Sequence, residues 1–219
     1  MYYSKSSTYL KYSKAFTLAE VLIIFGVVGT VALLTVPPLL GNIYDMQFKQ
    51  GAKVAFSKCS QAILQIEADQ GETLDYYLKT GSTFKPVFMR YFKVAKDCGN
   101  NDGCVPASDA SNIYKTLAGY KAQTNWISSG QFTTIDGMFF GILNNGSYIF
   151  ITVDVNGYKE PPNAYGKDVY MFELLGNVLE PSGANNTYTA ASGNLCDKSS
   201  SDWSQGLSCM YKVLQGINY

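Results

Sequence analysis

The 219-residue chain contains no histidine. That absence removes the commonest general base and the commonest side-chain ligand of transition metals. Neither a Ser-His-Asp arrangement nor a Cys-His pair can be assembled. Charge is scarce as well. Only 16% of residues are charged, and 17 Lys+Arg balance 17 Asp+Glu, so the formal net charge is zero and no basic patch argues for nucleic acid. No motif places two carboxylates together as a glycosidase pair requires. Gly99, Gly103 and Gly119 lack the spacing and the preceding strand of a phosphate-binding loop. These absences argue against an enzyme and leave catalytic residues unassigned.

Polar side chains are missing from one stretch above all. Within 16–40 the only ones are Thr17, Glu20, Thr30 and Thr35. As a helix, such a run is long enough to cross a hydrocarbon core of about 30 Å. An ionised Glu inside it costs roughly 2.5–3.5 kcal/mol on insertion scales, so Glu20 calls for a partner or a purpose. The residues ahead of the run carry Lys5, Lys11 and Lys14 and no acid. This bias keeps that end cytoplasmic and places the chain beyond residue 40 outside the inner membrane, as a single-pass protein. A secretory signal peptide has an apolar core of about 7–15 residues and a small-residue cleavage site. This run is longer, and Val36-Pro37-Pro38 is a poor cleavage site. An ordinary signal anchor accounts for the length but not for Glu20 beside Phe16-Thr17-Leu18.

The string Lys14-Ala15-Phe16-Thr17-Leu18-Ala19-Glu20 resembles the N-terminus of type IV prepilins and type II secretion pseudopilins. The resemblance is close over about the first 70 residues and extends only to general layout beyond them. It implies that a prepilin peptidase cuts between Ala15 and Phe16 and N-methylates the new amine of Phe16. It also implies that Glu20, fifth in the mature chain, guides assembly. Ala15 stands where the family usually has Gly, and Ala19 where Ile or Val is commoner. Gly29 and Pro37 fall where pilin helices often carry a Gly and a Pro. The implied partners are the peptidase, other pilin or pseudopilin subunits, an inner-membrane assembly platform and the lipid bilayer. The expected function is a structural subunit of a type IV pilus or a type II secretion pseudopilus. Two rival readings are a membrane-anchored extracytoplasmic binding protein or adhesin that never polymerises, and an anchored enzyme with an unrecognised site.

Beyond the Pro37-Pro38 pair the helical pattern resumes: Ala52, Phe56, Cys59, Ile63 and Ile66 trace one helix face, with Lys53, Lys58, Gln61, Gln65 and Asp69 off it. One helix is expected from residue 16 to about Gln70, loosened near Gly41 and the prolines. A short helix is expected over 84–94, starting at Pro86, with Phe88, Tyr91, Phe92 and Ala95 inward. The C-terminal half reads as an antiparallel meander. Strands at 138–143 and 147–155 flank Asn144-Asn145-Gly146, and strands at 169–175 and 178–179 flank Gly176-Asn177. An edge strand at 132–135, a loop over 182–201 and a last helix near 209–214 complete the expectation. The aromatic residues of the hairpins (Phe139, Phe140, Tyr148, Phe150, Tyr170, Phe172) are read as core. The fold class is α+β: a long N-terminal transmembrane helix of the pilin-like kind, packed against a C-terminal antiparallel β-sheet head. The expected divisions are a leader at 1–15, a transmembrane and assembly segment at 16–40, an amphipathic continuation at 41–70 and the head at 71–219.

Five cysteines are present, and an exported domain can keep disulfides. Turn residues separate Cys98 from Cys104, and Cys196 with Cys209 forms a second candidate pair near the C-terminus, where pilins often close a loop. Connectivity does not follow from sequence. Cys59, on the apolar stripe, is the candidate free thiol. The remaining cluster is Asp154, Asn156 and Asp168. It resembles the loop in which some pseudopilins hold a calcium ion, but it lacks the full EF-hand pattern. The simpler reading of Asp154, Asn156 and Gly157 is an Asx-turn leaving a strand, since few carboxylates are available to offset calcium dehydration. No cofactor is otherwise expected.

Overall fold

A computed structural model describes residues 16–70, 84–100 and 103–219. The leader, including Ala15, lies outside these residues. The chain divides into two units, one ending at Ile43 and one of Tyr44–Tyr219. Helix α1 (Leu18–Gln70) runs through both without interruption. The expected loosening at Gly41 and the prolines does not appear as a break in helical assignment: residues 37–41 stay helical. In the first unit nearly every apolar side chain is exposed, among them Leu18, Leu22, Phe25, Val28 and Leu34. This part of α1 belongs to a helix long and apolar enough to cross a membrane.

The second unit contains a six-stranded antiparallel sheet in simple sequence order. Its strands are β1 (Val94–Asp97), β2 (Phe132–Thr134), β3 (Phe139–Asn144), β4 (Ile149–Asp154), β5 (Val169–Leu175) and β6 (Val178–Pro181). The β3–β4 hairpin closes through the turn from Asn145 to Tyr148. There the Asn145 side chain accepts the backbone N–H groups of Ser147 and Tyr148, and Gly146 takes φ +88°. Only the glycine takes positive φ, so the turn centres on Gly146-Ser147, with the Asn145 N–H donating to the Tyr148 carbonyl, and not on Asn145-Gly146 as the Asn-Gly signal predicts. β4 pairs residue by residue with β5, from Ile149 opposite Leu174 to Asp154 opposite Val169.

Both faces of the sheet are covered. On one, Ala52, Ala55, Cys59, Ile63 and Ile66 of α1 are buried with Phe140, Ile142, Ile151, Val153, Tyr170 and Phe172. Phe56 lies at the margin of this layer, edge-on to Phe172 with ring centroids 5.3 Å apart. The opposite face carries Phe139, Phe150, Val169 and Met171. They lie under a cover that includes Val105, Tyr114, Trp126, Ile127, Tyr165 and Leu207. Alternation along β3–β5 therefore divides the apolar residues between two cores. Of the hairpin aromatics only Tyr148 is less than fully buried.

Among the described residues, short helices flank the sheet: α2 (Phe84–Met89), α3 (Ala107–Ile113), α4 (Asn125–Ser128) and α5 (Tyr188–Ala191). A fifth, α6 (Cys209–Gln215), ends on Gly216 in the left-handed conformation. Three expectations need correction. The helix expected over 84–94 stops at Met89, and Val94–Asp97 is a strand instead, with Val94 opposite Thr134 and Asp97 opposite Phe132. The strand at 132–134 is accordingly interior, and β1 forms the edge. β2 leaves an open ladder beside it, and the β-branched Val94 fits a pleated surface better than a further helical turn. Within the expected loop at 182–201, helix α5 forms because Thr187 caps it, its Oγ1 accepting the N–H of Ala190.

Candidate functional site

The first candidate is the start of α1. Thr17 precedes the helix, and its backbone N–H and hydroxyl both donate to the Glu20 carboxylate, each at 2.9 Å. The N–H of Glu20 in turn donates to Thr17 Oγ1 at 3.2 Å. This is a reciprocal capping box, which satisfies N–H groups that a helix start leaves without intrahelical partners. The spacing Thr17-x-x-Glu20 announces it in the sequence. Phe16 is 78% exposed, so its backbone and ring are open to whatever surrounds the helix start.

The second candidate lies in the head, where the β4–β5 connection brings Asp154 and Asp168 together. Both are fully buried. Asp154 accepts the Gly157 N–H at 2.9 Å and the Tyr114 hydroxyl at 3.2 Å. Asp168 accepts the N–H groups of Asn163 and Ala164 at 2.8 and 2.7 Å. Gly157 has φ +85°, and a Cβ there would meet the Gly137 carbonyl oxygen at 2.6 Å, so the turn needs glycine. The Pro161–Pro162 bond is cis. Burial, followed by the charge of Asp168, pushes the Asp154 carboxyl well above the usual carboxylate range. Burial likewise raises Asp168, although its two backbone donors oppose the shift. Tyr114 is raised by burial first and by Asp154 second.

The Asx-turn is thus present, with Asp154 holding the Gly157 N–H. The wider cluster has a further property. The side-chain oxygens of Asn156 and Asn163 are buried and have no hydrogen-bond partner among the described residues, while their amide nitrogens donate to the carbonyls of Glu160, Pro161 and Tyr158. Carboxylate and amide oxygens are of the hard kind that calcium takes, although both carboxylates here already accept hydrogen bonds from the protein. Of Asp154, Asn156, Asn163 and Asp168 only two are acidic, and no group of three acidic, histidine or cysteine side chains is gathered among the described residues. Asn163, Tyr114 and Tyr165 are members of this cluster that the sequence did not single out, because they reach it from separate loops.

Two disulfides join Cys98 to Cys104 and Cys196 to Cys209. Cys59 is free and buried against the sheet, and burial raises its thiol pKa strongly. The Cys196–Cys209 bridge ties the 197–208 loop to the first turn of α6. A third buried carboxylate, Glu173 of β5, accepts from the Ser182 hydroxyl, the backbone N–H groups of Tyr188 and Thr189, and the Thr189 hydroxyl. It thereby anchors the start of α5 to the sheet.

Compared with family models, curated proteins and solved structures, the chain matches none of them.

Proposed function

We propose that this chain is a pilin-like structural subunit of a type IV pilus or a type II secretion pseudopilus. The observation that carries the reading is the Phe16-Thr17-Leu18-Ala19-Glu20 string. It opens a helix long and apolar enough to span a bilayer, in a chain whose remainder builds an antiparallel sheet head. Lys5, Lys11 and Lys14 hold the N-terminus in the cytoplasm while the apolar helix enters the inner membrane. A prepilin peptidase cuts between Ala15 and Phe16 and methylates the new amine.

Subunits then leave the lipid for a helical bundle through an assembly platform. Exposed side chains such as Leu22, Phe25 and Leu34 exchange lipid contacts for packing against neighbouring helices. Glu20 of one subunit meets the Phe16 ammonium of the next, an attraction strengthened by low-dielectric surroundings. In the monomer its carboxylate rests on Thr17, so the group is already oriented at the helix start. In the head, a calcium ion held by Asp154, Asp168 and the amide oxygens of Asn156 and Asn163 would offset the mutual repulsion of the two carboxylates.

Intact-mass measurement of the native protein tests the processing step. The expected mass lacks residues 1–15 and carries one added methyl on Phe16. A mature chain starting near Pro37, or one retaining Met1, rejects the assignment. Recovery of the processed chain in sheared filaments separates a polymerising subunit from an anchored binding protein.

A further inference from the structure

The head carries a groove of about 440 Å³ on the sheet face opposite α1. This volume lies within the range of small-ligand clefts, roughly 300–1,000 Å³. Its walls are aromatic. Trp203 is 59% exposed and Tyr188 is 43% exposed, while Trp126 forms a buried wall between them and the sheet. These rings are held from behind. The Tyr188 ring lies 5.6 Å from that of Phe150, which in turn stands edge-on to Trp126. The backbone N–H of Tyr188 is fixed by buried Glu173 at 2.6 Å. Trp126 can press so close to β3 because Gly141 has no side chain: a Cβ there would meet the Trp126 carbonyl oxygen at 2.7 Å. Trp203 sits in the loop closed by the Cys196–Cys209 disulfide, and its carbonyl accepts the Gln123 N–H at 3.0 Å.

The polar lining combines amides, hydroxyls and one carboxylate. Gln123 and Asn125 present side-chain amides without partners among the described residues, and Asp202 presents a carboxylate. One oxygen of Asp202 takes the Ser204 N–H at 2.7 Å, and the other has no donor among the described residues. Among the described residues, lysine and arginine are missing from the lining.

From this arrangement we infer that the groove is a binding site for a neutral oligosaccharide. The C–H faces of a pyranose ring carry partial positive charge and are attracted to the negative face of an indole or phenol ring. Amides and a carboxylate offer the acceptors and donors that vicinal hydroxyls need. The other ligands suited to aromatic clefts fit less well. A nucleic acid strand or an anionic glycan needs cationic neighbours, and the only charge here is negative. A proline-rich peptide offers carbonyl acceptors but few donors, which leaves Asp202 unsatisfied. The inference concerns the head alone and does not depend on filament assembly.

Trp126 and Trp203 are the only two tryptophans in the chain, and both line the groove. Intrinsic fluorescence therefore reports on this site directly. The full chain in detergent micelles would be titrated with neutral oligomers of glucose, galactose and N-acetylglucosamine. Polygalacturonate and a proline-rich peptide serve as comparators. The expected result is a saturable change in emission with at least one neutral oligomer. Trp203→Ala should weaken binding about tenfold, measured by calorimetry. Asp202→Asn should weaken it with the fluorophores intact, and circular dichroism should show both variants folded. The inference is overturned if no neutral oligomer alters the emission, if Trp203→Ala binds as well as wild type, or if only a comparator binds.

Discussion

Glu20 accepts two hydrogen bonds from Thr17, one from its backbone and one from its hydroxyl, both at 2.9 Å. The residue expected to guide assembly is therefore also half of the cap that starts α1. A capping box and an assembly guide make different demands on the same carboxylate, and the two can be separated experimentally.

Thr17→Ala removes the cap hydroxyl and leaves the carboxylate, at a cost of about 1 kcal/mol in helix-start stability. Glu20→Ala removes both roles. If Glu20 pairs with the Phe16 ammonium of a neighbour, Glu20→Ala should leave membrane abundance and cleavage intact but strongly reduce entry into sheared filaments. Thr17→Ala should reduce it only slightly, and Glu20→Asp should be intermediate because its arm is shorter. Fractionation of membrane and filament pools reads this out. Equal losses for Thr17→Ala and Glu20→Ala would make Glu20 a cap and nothing more.

Glu173→Ala should destabilise the head by about 3 kcal/mol or more. The Ser182 and Thr189 hydroxyls and two backbone N–H groups lose their acceptor in a buried setting. Glu173→Gln keeps the shape but presents an N–H₂ to donors, so it should recover only part of the loss. Urea unfolding followed by tryptophan emission measures both, since Trp126 lies on the same sheet face.

Asp154 predicts a pH dependence of defined sign. Its folded pKa lies above the ordinary carboxylate value of about 3.9, so the folded head binds this proton more tightly than the unfolded chain. Its contribution is then fully present below that value and is lost as pH rises toward the raised folded pKa. Asp97, Asp136 and Asp197 are shifted downward and act in the opposite sense. The informative quantity is therefore the melting temperature of wild type minus that of Asp154→Asn, which should fall as pH rises above about 4. Calcium chloride should raise the wild-type melting temperature at neutral pH, and Asp154→Asn should blunt that rise. A difference that stays flat with pH would remove Asp154 from this role, and a melting temperature indifferent to calcium would reduce the loop to its Asx-turn.

Cysteine chemistry offers a fourth test. Non-reducing peptide mapping should return Cys98–Cys104 and Cys196–Cys209, with Cys59 alkylated only after denaturation, because its burial disfavours the reactive thiolate. Replacing Cys196 and Cys209 with serine should cost about 3 kcal/mol, given the length of the loop they close. Rapid alkylation of Cys59 in the folded protein would contradict its place beneath the sheet.

What the sequence determined by itself is what depends on local rules. Ala52, Cys59, Ile63 and Ile66 announce a helix face by their spacing, and Asn145-Gly146 and Gly176-Asn177 announce hairpins by turn chemistry. Those signals sit within a few residues of one another, so the helix and the β3–β6 meander were legible before any contact was known. The edge strand Val94–Asp97 was not, because its identity depends on an open ladder at Phe132–Thr134 that lies far along the chain. Asp154 and Asp168 were legible as a pair. Their burial, their shared Tyr114 environment and the unpartnered oxygens of Asn156 and Asn163 were decided only when separate loops closed over them. The groove of Trp126, Tyr188 and Trp203 has no sequence signature for the same reason. Its walls come from three distant segments, brought together by a glycine in β3, a buried glutamate and a disulfide, and no local period records such a meeting.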